Sequence, residues 1–182
     1  MSGSNRKHQK PSERAAYFIL GILGWFKYIF GSTPTIIPRG LTIEHRGKEL
    51  PPGKVLQYPS ILLVEDDPDI ARDFVEVIKR YYDCGSIMIY VAHAYSAAVT
   101  FFENEDVNLV IMDADLDDME GDGVMLTQNF LSKKPSMTIL ANSSSKISSL
   151  KLTGFGASEI LGKNPEKLKN WFLLHDPAGT GN

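Results

Sequence analysis

The sequence predicts an α/β protein in which a five-stranded parallel sheet is covered by helices on both faces, preceded by an N-terminal helical and linker extension. From Ser60 onward, short apolar runs alternate with segments of helical periodicity. The runs are apolar throughout rather than at every second position, which is typical of parallel strands buried on both faces. Five β/α units with right-handed crossovers give such a doubly wound sheet.

The predicted elements follow one another along residues 59–175. Strands are predicted at residues 61–64, 87–92, 109–112, 138–141 and 160–161, and helices at 68–82, 95–104, 121–134, 145–155 and 165–173. The first helix is well marked, because Ile70, Phe74 and Val77 recur at helical spacing. Asp67 is suited to cap its amino end, with Pro68 at the first helical position.

Charge divides the chain into two parts. Residues 1–59 hold nine Lys or Arg against three acids, whereas residues 60–182 hold ten against nineteen. The acidic second part is a poor candidate for nucleic-acid binding, because phosphates require basic surfaces. Cys84 is the only cysteine, so no intramolecular disulfide can form, which agrees with a cytoplasmic location.

Residues 1–58 are predicted to be a basic extension with one apolar helix at about 13–30 and a linker. Three interpretations of the helix stay open: contact with a membrane surface, packing on protein or self-association, and a signal peptide. Residues 32–59 contain five prolines and three glycines, which indicates the linker, with a small hairpin at 41–50 as a further prediction. Residues 176–182 are expected to be a short tail.

Polar side chains stand at the ends of four predicted strands. They are Glu65 and Asp66 after the first strand, Asp113 after the third, Ser143 or Ser144 after the fourth, and Lys163 after the fifth. The carboxyl ends of parallel strands meet at one edge of the sheet, where ligands bind in such folds. We therefore expect these acids, the hydroxyl and the amine to converge on one site.

Residues 59–175 resemble the response-regulator receiver family of two-component signalling. The resemblance is carried by the stretches ILLVEDDPDIARDF, NLVIMDADLDDMEGDG and GASEILGK, in the family's order and at its spacing. It implies a flavodoxin-like fold with strand order 2-1-3-4-5. It also implies two kinds of partner, a sensor histidine kinase or phosphotransfer protein and a downstream protein.

The resemblance assigns a role to each polar residue. Glu65 and Asp66 match the acidic pair that binds Mg²⁺, Asp113 the phosphoacceptor and a metal ligand, the backbone carbonyl of Asp115 a further ligand, Ser143 or Ser144 the switch hydroxyl, and Lys163 the lysine that contacts the phosphoryl group. A carboxylate can attack phosphorus held in line with a phosphohistidine donor. Mg²⁺ offsets the repulsion between the acids and the incoming phosphoryl group.

The sequence departs from the family pattern at several positions. Asp117 stands where the family usually has proline, which predicts a more mobile loop, and Ile160 stands where it usually has an aromatic residue. Lys163 is followed by Asn164 and only then by Pro165, whereas the family has a cis peptide bond directly after its lysine.

The register of the switch hydroxyl is not unique. At the family's spacing from Lys163, the switch position falls on Ala141 if the sequence has no gap. A deletion of one residue relative to the family would place Asn142 there, and a deletion of two would place Ser143, the first hydroxyl after the strand. These departures leave metal binding and phosphorylation as predicted, and they bear on how the signal is passed on.

The leading functional prediction is a phosphoacceptor whose Mg²⁺-dependent phosphorylation at Asp113 switches protein–protein interactions. It is not expected to be an enzyme beyond its own phosphotransfer and dephosphorylation, and no DNA-binding output domain fits after the last helix. A phosphorylation-independent interaction module is the second prediction, motivated by Asp117, Asn142 and Ile160. A hydrolase with the same nucleophile is the third; Asp115 has the spacing it needs, but the upstream acidic pair opposes it.

Overall fold

The computed structural model describes residues 36–37 and 39–180, which belong to one structural unit spanning residues 35–182. The apolar helix predicted at 13–30 lies outside the described residues, and so do its membrane, self-association and signal-peptide interpretations. Within the described part, no helix is long and apolar enough to cross a membrane.

A single mixed sheet runs through the described residues. Its seven strands are β1 (Ile36–Ile37), β2 (Gly40–Arg46), β3 (Ser60–Val64), β4 (Ser86–Ala92), β5 (Leu109–Met112), β6 (Thr138–Ala141) and β7 (Glu159–Ile160). They lie in the order β1-β2-β4-β3-β5-β6-β7. The strands from β4 to β7 in this order pair in parallel, whereas β1–β2 and β2–β4 pair antiparallel.

A helix follows each parallel strand, which confirms the predicted doubly wound α/β fold. The helices are α1 (Pro68–Tyr81), α2 (Tyr95–Asn104), α3 (Gly123–Lys133), α4 (Lys146–Gly154) and α5 (Pro165–His175). As predicted, Asp67 caps α1: its carboxylate accepts the N–H groups of Asp69 and Ile70 at 2.8 and 3.3 Å. Because Pro68 lacks an N–H group, it leaves no unpaired donor at the first helical position.

The sheet has two strands beyond the five predicted parallel ones, because β1 and β2 form within the segment that we interpreted as a linker. All seven residues of β2 pair with β4, from Gly40 opposite Ala92 to Arg46 opposite Ser86. Leu41 and Ile43 are buried at alternate positions, as in a strand with one covered face. The strand covers the backbone groups that β4 would otherwise expose at the edge of the sheet.

The predicted hairpin at 41–50 is also wrong, because residues 48–50 do not return along β2. Instead, the Gly47 N–H donates to the Gly85 carbonyl, and the Lys48 N–H donates to the Asp83 carbonyl, each at 2.7 Å. A Cβ atom on Gly47 would lie 2.5 Å from the Asp83 carbonyl oxygen, so glycine is needed for this approach. A strand paired with β4 gains a larger covered surface than an isolated hairpin.

The segment after α5, which we expected to be a short tail, is folded up to Thr180. Residues Pro177–Thr180 form a short 3₁₀ helix, in which Ala178 and Gly179 are buried. The preceding Asp176 is 1% exposed, and its carboxylate accepts hydrogen bonds from the Tyr82 hydroxyl and from two backbone N–H groups at 57–58. These contacts anchor the segment to α1 and to the chain that enters β3.

The core occupies both faces of the sheet. Leu62 of β3 packs in a cluster that includes Phe101 of α2, whereas its equally buried neighbour Leu63 points to the opposite face. On that face, Phe172 of α5 stacks on Tyr81 of α1, with ring centroids 5.0 Å apart. The central strands are therefore covered on both sides.

Candidate functional site

Three neighbouring strands bring polar side chains to one edge of the sheet. Glu65, Asp113 and Asn142 are the first residues after β3, β5 and β6. Their backbones stay in line with the strands, since the Asp113 N–H donates to the Val64 carbonyl at 2.9 Å. The parallel register therefore makes these side chains converge. The sequence predicted this convergence for Glu65 and Asp113, but not for the side chain of Asn142.

Glu65, Asp66 and Asp113 form an acidic cluster. One carboxylate oxygen from each lies within 4.8 Å of the other two. Glu65 and Asp113 are completely buried, and Asp66 is partly exposed. Such a set of charged oxygen atoms suits a hard divalent cation. The Asp115 N–H lies 3.3 Å from the Asp113 carboxylate, so residue 115 stands next to the cluster.

Lys163 supplies the positive charge of the site. Its Nζ atom lies 2.9 Å from Oε1 of Glu65 and 2.8 Å from Oδ2 of Asp113. A single ammonium group faces three carboxyl groups, so the ionised cluster keeps an excess of negative charge. This excess favours the binding of a cation beside Lys163.

The buried groups of the site have shifted pKa values. Burial and the nearby Asp113 raise the pKa of Glu65 to about 8, although Lys163 acts in the opposite direction. Burial also raises the pKa of Asp113, again against the effect of Lys163. Burial alone would lower the pKa of Lys163, but its hydrogen bonds to Asp113 and Glu65 raise it, so the ammonium form is stabilised.

Asn142 connects the acidic cluster to the lysine loop. Its Nδ2 donates to Oε2 of Glu65 at 3.2 Å, and its Oδ1 accepts from the Lys163 N–H at 3.0 Å. Lys163 has a φ of 52°, in the left-handed region that residues other than glycine seldom adopt. The family's cis peptide bond after the lysine is not present, because all peptide bonds of the described residues are trans.

The two predicted switch hydroxyls lie in different surroundings. Ser143 is buried, and its hydroxyl donates to the Asp115 carboxylate at 2.9 Å, while Ser144 is exposed. The Ser148 hydroxyl donates to the other oxygen of Asp115 at 2.8 Å. The Asp115 side chain therefore joins the loop after β5 to the loop after β6 and the start of α4.

The loop after Asp113 is held at two points. The Asp117 N–H, which a proline at this position would lack, donates to Oδ2 of Asp66 at 2.9 Å. Asp118 accepts the N–H groups of Glu120 and Tyr95 at 3.0 and 2.9 Å, and these bonds lower its pKa. The replacement of proline thus adds a contact between the loop and the acidic cluster.

Arg39, the residue before β2, lies close to the site. The His93 N–H donates to the Arg39 carbonyl at 2.8 Å, and the His93 ring lies with Nδ1 2.7 Å from the backbone carbonyl of Glu65. The Arg39 guanidinium lies 3.7 Å from the Asp118 carboxylate. Arg39 therefore contacts the loop after Asp113 directly and is linked to Glu65 only through His93.

From the sequence, the side chain of Ser148 received no role, Asn142 was named only as a departure from the family pattern, and the Asp115 side chain was used only in the hydrolase prediction. The family pattern has a hydroxyl residue after β6, so the amide of Asn142 matches no motif. The pairing of Ser148 with Asp115 needs the first turn of α4 to face the preceding loop, which sequence spacing alone does not reveal.

A family model described as the response regulator receiver domain matches residues 61–171. This match covers both acidic segments, the loop of Lys163 and the helices between them. None of the curated proteins matches the chain.

Solved receiver structures are similar to this chain in fold. A signal receiver domain of an HD domain-containing protein from Pseudomonas fluorescens Pf-5 is 21% identical, with a TM-score of 0.55, over 67% of this chain and 89% of that one. A two-component response regulator of the LuxR family from Aurantimonas sp. SI85-9A1 is 20% identical, with a TM-score of 0.54, over 64% of this chain and 83% of that one. A CheY-like receiver domain protein from Methanospirillum hungatei JF-1 is 21% identical, with a TM-score of 0.50, over 64% of this chain and 91% of that one.

Proposed function

The chain belongs to the response regulator receiver domain family, and on that premise we propose that it accepts a phosphoryl group on Asp113. The observation that carries the proposal is the position of the buried Asp113 carboxylate. It lies 2.8 Å from the Lys163 ammonium group, within the acidic cluster that it forms with Glu65 and Asp66. A nucleophile, a fixed positive charge and a set of oxygen ligands are thus available at one edge of the sheet.

The proposed donor is a phosphohistidine on a sensor kinase or phosphotransfer protein. An Asp113 carboxylate oxygen attacks the phosphorus atom, and a P–O bond forms as the P–N bond to the donor imidazole breaks. The imidazole leaves with the electron pair of that bond and takes up a proton from solvent. The Lys163 ammonium group stabilises the negative charge on the transferred phosphoryl oxygens.

The acidic cluster fits the Mg²⁺ ion that the family uses. Glu65, Asp66 and Asp113 would hold it, with the backbone carbonyl of Asp115 as a further oxygen ligand. When bound, the ion supplies positive charge that offsets the repulsion between these acids and the phosphoryl group.

The output proposed for the phosphorylated chain is a change in contacts with a downstream protein. The chemistry is the chain's own phosphotransfer and the hydrolysis of its aspartyl phosphate, without turnover of another substrate. A cytoplasmic location belongs to the same proposal, because the proposed phosphohistidine donors act there.

A phosphorylation-independent interaction module is the second candidate. Its specific support is that no hydroxyl follows β6 directly, because Asn142 occupies that position, and that the Ser143 hydroxyl donates a hydrogen bond to Asp115. Ile160, at the position of the family's aromatic residue, is a further departure. In this candidate the fold and its surface are retained, and phosphate is not needed for binding.

Intact-protein mass after incubation with Mg²⁺ and acetyl phosphate distinguishes the two candidates. We expect a gain of a single phosphoryl group in the wild type, and no gain in Asp113→Asn or when EDTA removes Mg²⁺. Asp117→Asn, a change of an acid in the same loop, is the matched control and should still be phosphorylated. A folded wild type that takes up no phosphoryl group, from acetyl phosphate or from candidate kinases, would favour the interaction module.

A further inference from the structure

Asn142 is a completely buried polar residue with no assigned role in the proposed phosphotransfer. It directly follows β6, and its backbone N–H donates to the Met112 carbonyl at 2.7 Å. Both ends of its side-chain amide are also paired, one with Oε2 of Glu65 and the other with the Lys163 N–H. Held by one backbone and two side-chain hydrogen bonds, Asn142 joins a proposed metal ligand to the turn that carries the lysine.

The turn at Lys163 requires such an acceptor. Gly162 and Lys163 have φ values of 67° and 52°, so the chain reverses through two successive left-handed residues between β7 and α5. Glycine adopts this conformation readily, but a lysine adopts it at a cost in conformational energy. A hydrogen bond of 3.0 Å from its N–H group to a buried carbonyl oxygen of Asn142 offsets that cost.

The backbone conformation of Lys163 also determines where its charge lies. The side chain leaves the left-handed residue toward the sheet edge, and its Nζ atom bridges Glu65 and Asp113. Glu65 is in turn held from its other oxygen by Asn142. Asn142, Lys163 and Glu65 thus form a closed ring of contacts beside the Asp113 carboxylate.

We propose that Asn142 is a positioning residue, whose side-chain amide holds the Lys163 turn and the Glu65 carboxylate so that the Lys163 ammonium group stays beside Asp113. The effect on phosphotransfer rests on the proposed function, whereas the effect on the Lys163 turn does not. Asn142 acts through Lys163 and Glu65, and the amide performs this role without being a switch hydroxyl.

Ser143 provides the matched control, because it is the adjacent buried polar residue on the same loop. Its hydroxyl donates to Asp115 and accepts from the Ser145 N–H at 3.0 Å. Ser143→Ala therefore removes a buried hydroxyl close to Asn142 but leaves the bond to Lys163 in place.

The first experiment measures hydrogen exchange of the Lys163 backbone amide by NMR, without Mg²⁺ or phosphodonor. We expect exchange at least about tenfold faster in Asn142→Ala than in the wild type, because one hydrogen bond is lost, and little change in Ser143→Ala. If Asn142→Ala does not fold, Asn142→Ser takes its place, because the serine side chain is too short for its hydroxyl to reach the Lys163 N–H. Unchanged exchange in a folded variant overturns the proposal, whether or not the protein is a phosphoacceptor.

The second experiment is a double-mutant cycle on the rate of phosphorylation by acetyl phosphate, with thermal melting as the check of folding. We expect Asn142→Ala to lower the rate about tenfold in the wild type and less than about twofold in Lys163→Ala, because the positioned group is then absent. Equal effects in the two backgrounds would overturn the positioning role. A wild type that is not phosphorylated refutes the proposed function, and the exchange experiment alone then decides on Asn142.

Discussion

The Glu65 carboxylate lies 2.9 Å from the Lys163 ammonium group and is nevertheless a weak acid. Burial of Glu65 and the charge of Asp113 raise its pKa to about 8, more than the hydrogen bond from Lys163 lowers it. One ammonium group is shared between two buried carboxyl groups, so it cannot stabilise both charges fully. The site can therefore hold a proton or a cation at neutral pH.

The first prediction is a loss of stability with rising pH in the absence of metal. The ordinary pKa of a glutamate is 4.5, so between pH 4.5 and 8 the folded protein binds more protons at Glu65 than the unfolded chain does. The free energy of unfolding therefore falls as pH rises through this window, by at most about 1.4 kcal/mol per pH unit for one proton. Urea unfolding at pH 5.5 and pH 8 should show a larger loss in the wild type than in Glu65→Gln. Equal losses in the two proteins would contradict the raised pKa.

The second prediction concerns the affinity for Mg²⁺. The ion binds the ionised form of Glu65, so the affinity should rise between pH 6 and pH 8, and binding should release protons near neutral pH. Isothermal titration calorimetry in buffers of different ionisation enthalpy measures that release. Glu65→Gln should bind weakly and without the pH dependence, while Glu120→Gln, a change of an exposed acid in the neighbouring loop, should resemble the wild type. A pH-independent affinity in the wild type would count against the prediction.

The parallel strands and the acidic cluster could be predicted because their signals are local. The runs at 61–64 and 109–112 are apolar throughout, and each is followed by an acidic residue, so the same few positions predict both the strand and the site. The convergence of Asp113 and Lys163 then follows from the rule that parallel strands share a carboxyl edge.

The extension and the amide could not be predicted in the same way. Leu41 and Ile43 alternate with polar residues over a stretch too short to outweigh the surrounding prolines and glycines, and their burial depends on the distant β4. Asn142 has two partners that lie 77 and 21 residues away in the sequence. Its role follows from tertiary contacts, and sequence spacing gives no signal for it.

The third prediction tests whether β2 belongs to the folded domain. Ile43 is 2% exposed and lies opposite Ile89 of β4, so Ile43→Ala should lower the free energy of unfolding by about 2–4 kcal/mol. Glu44→Ala changes the next, exposed residue and should cost no more than about 0.5 kcal/mol. Urea unfolding of both variants measures the difference. If the two variants unfold at the same urea concentration, β2 does not contribute to the stability of the domain.

A shortened chain extends this prediction to the edge of the sheet. A protein that begins at residue 59 lacks β2 and exposes the backbone groups of β4, which can then pair with a second molecule. Sedimentation velocity should detect more self-association than in a protein that begins at residue 35. Equal behaviour of the two proteins would show that β4 is protected by other means.

The fourth prediction concerns Asp176, which joins three parts of the chain. Its carboxylate accepts the N–H groups of Gln57 and Tyr58 at 3.0 Å each and the Tyr82 hydroxyl at 2.8 Å. Asp176→Ala leaves the buried Tyr82 hydroxyl without an acceptor and should cost about 3 kcal/mol or more in the free energy of unfolding. Tyr82→Phe removes the donor and leaves no unpaired hydroxyl, so its cost should be nearer 1 kcal/mol.

Urea unfolding of these two variants, with Asp73→Asn as the control, separates the anchor from a general effect of charge. Asp73 is an exposed acid on α1 that pairs with Arg72 at 3.3 Å, so its substitution should change the free energy of unfolding by no more than about 0.5 kcal/mol. Because Asp176 contacts none of the acidic cluster, phosphorylation of the folded Asp176→Ala protein should persist below its unfolding temperature. A cost for Asp176→Ala no larger than that for Asp73→Asn would show that the segment after α5 is not anchored by this carboxylate.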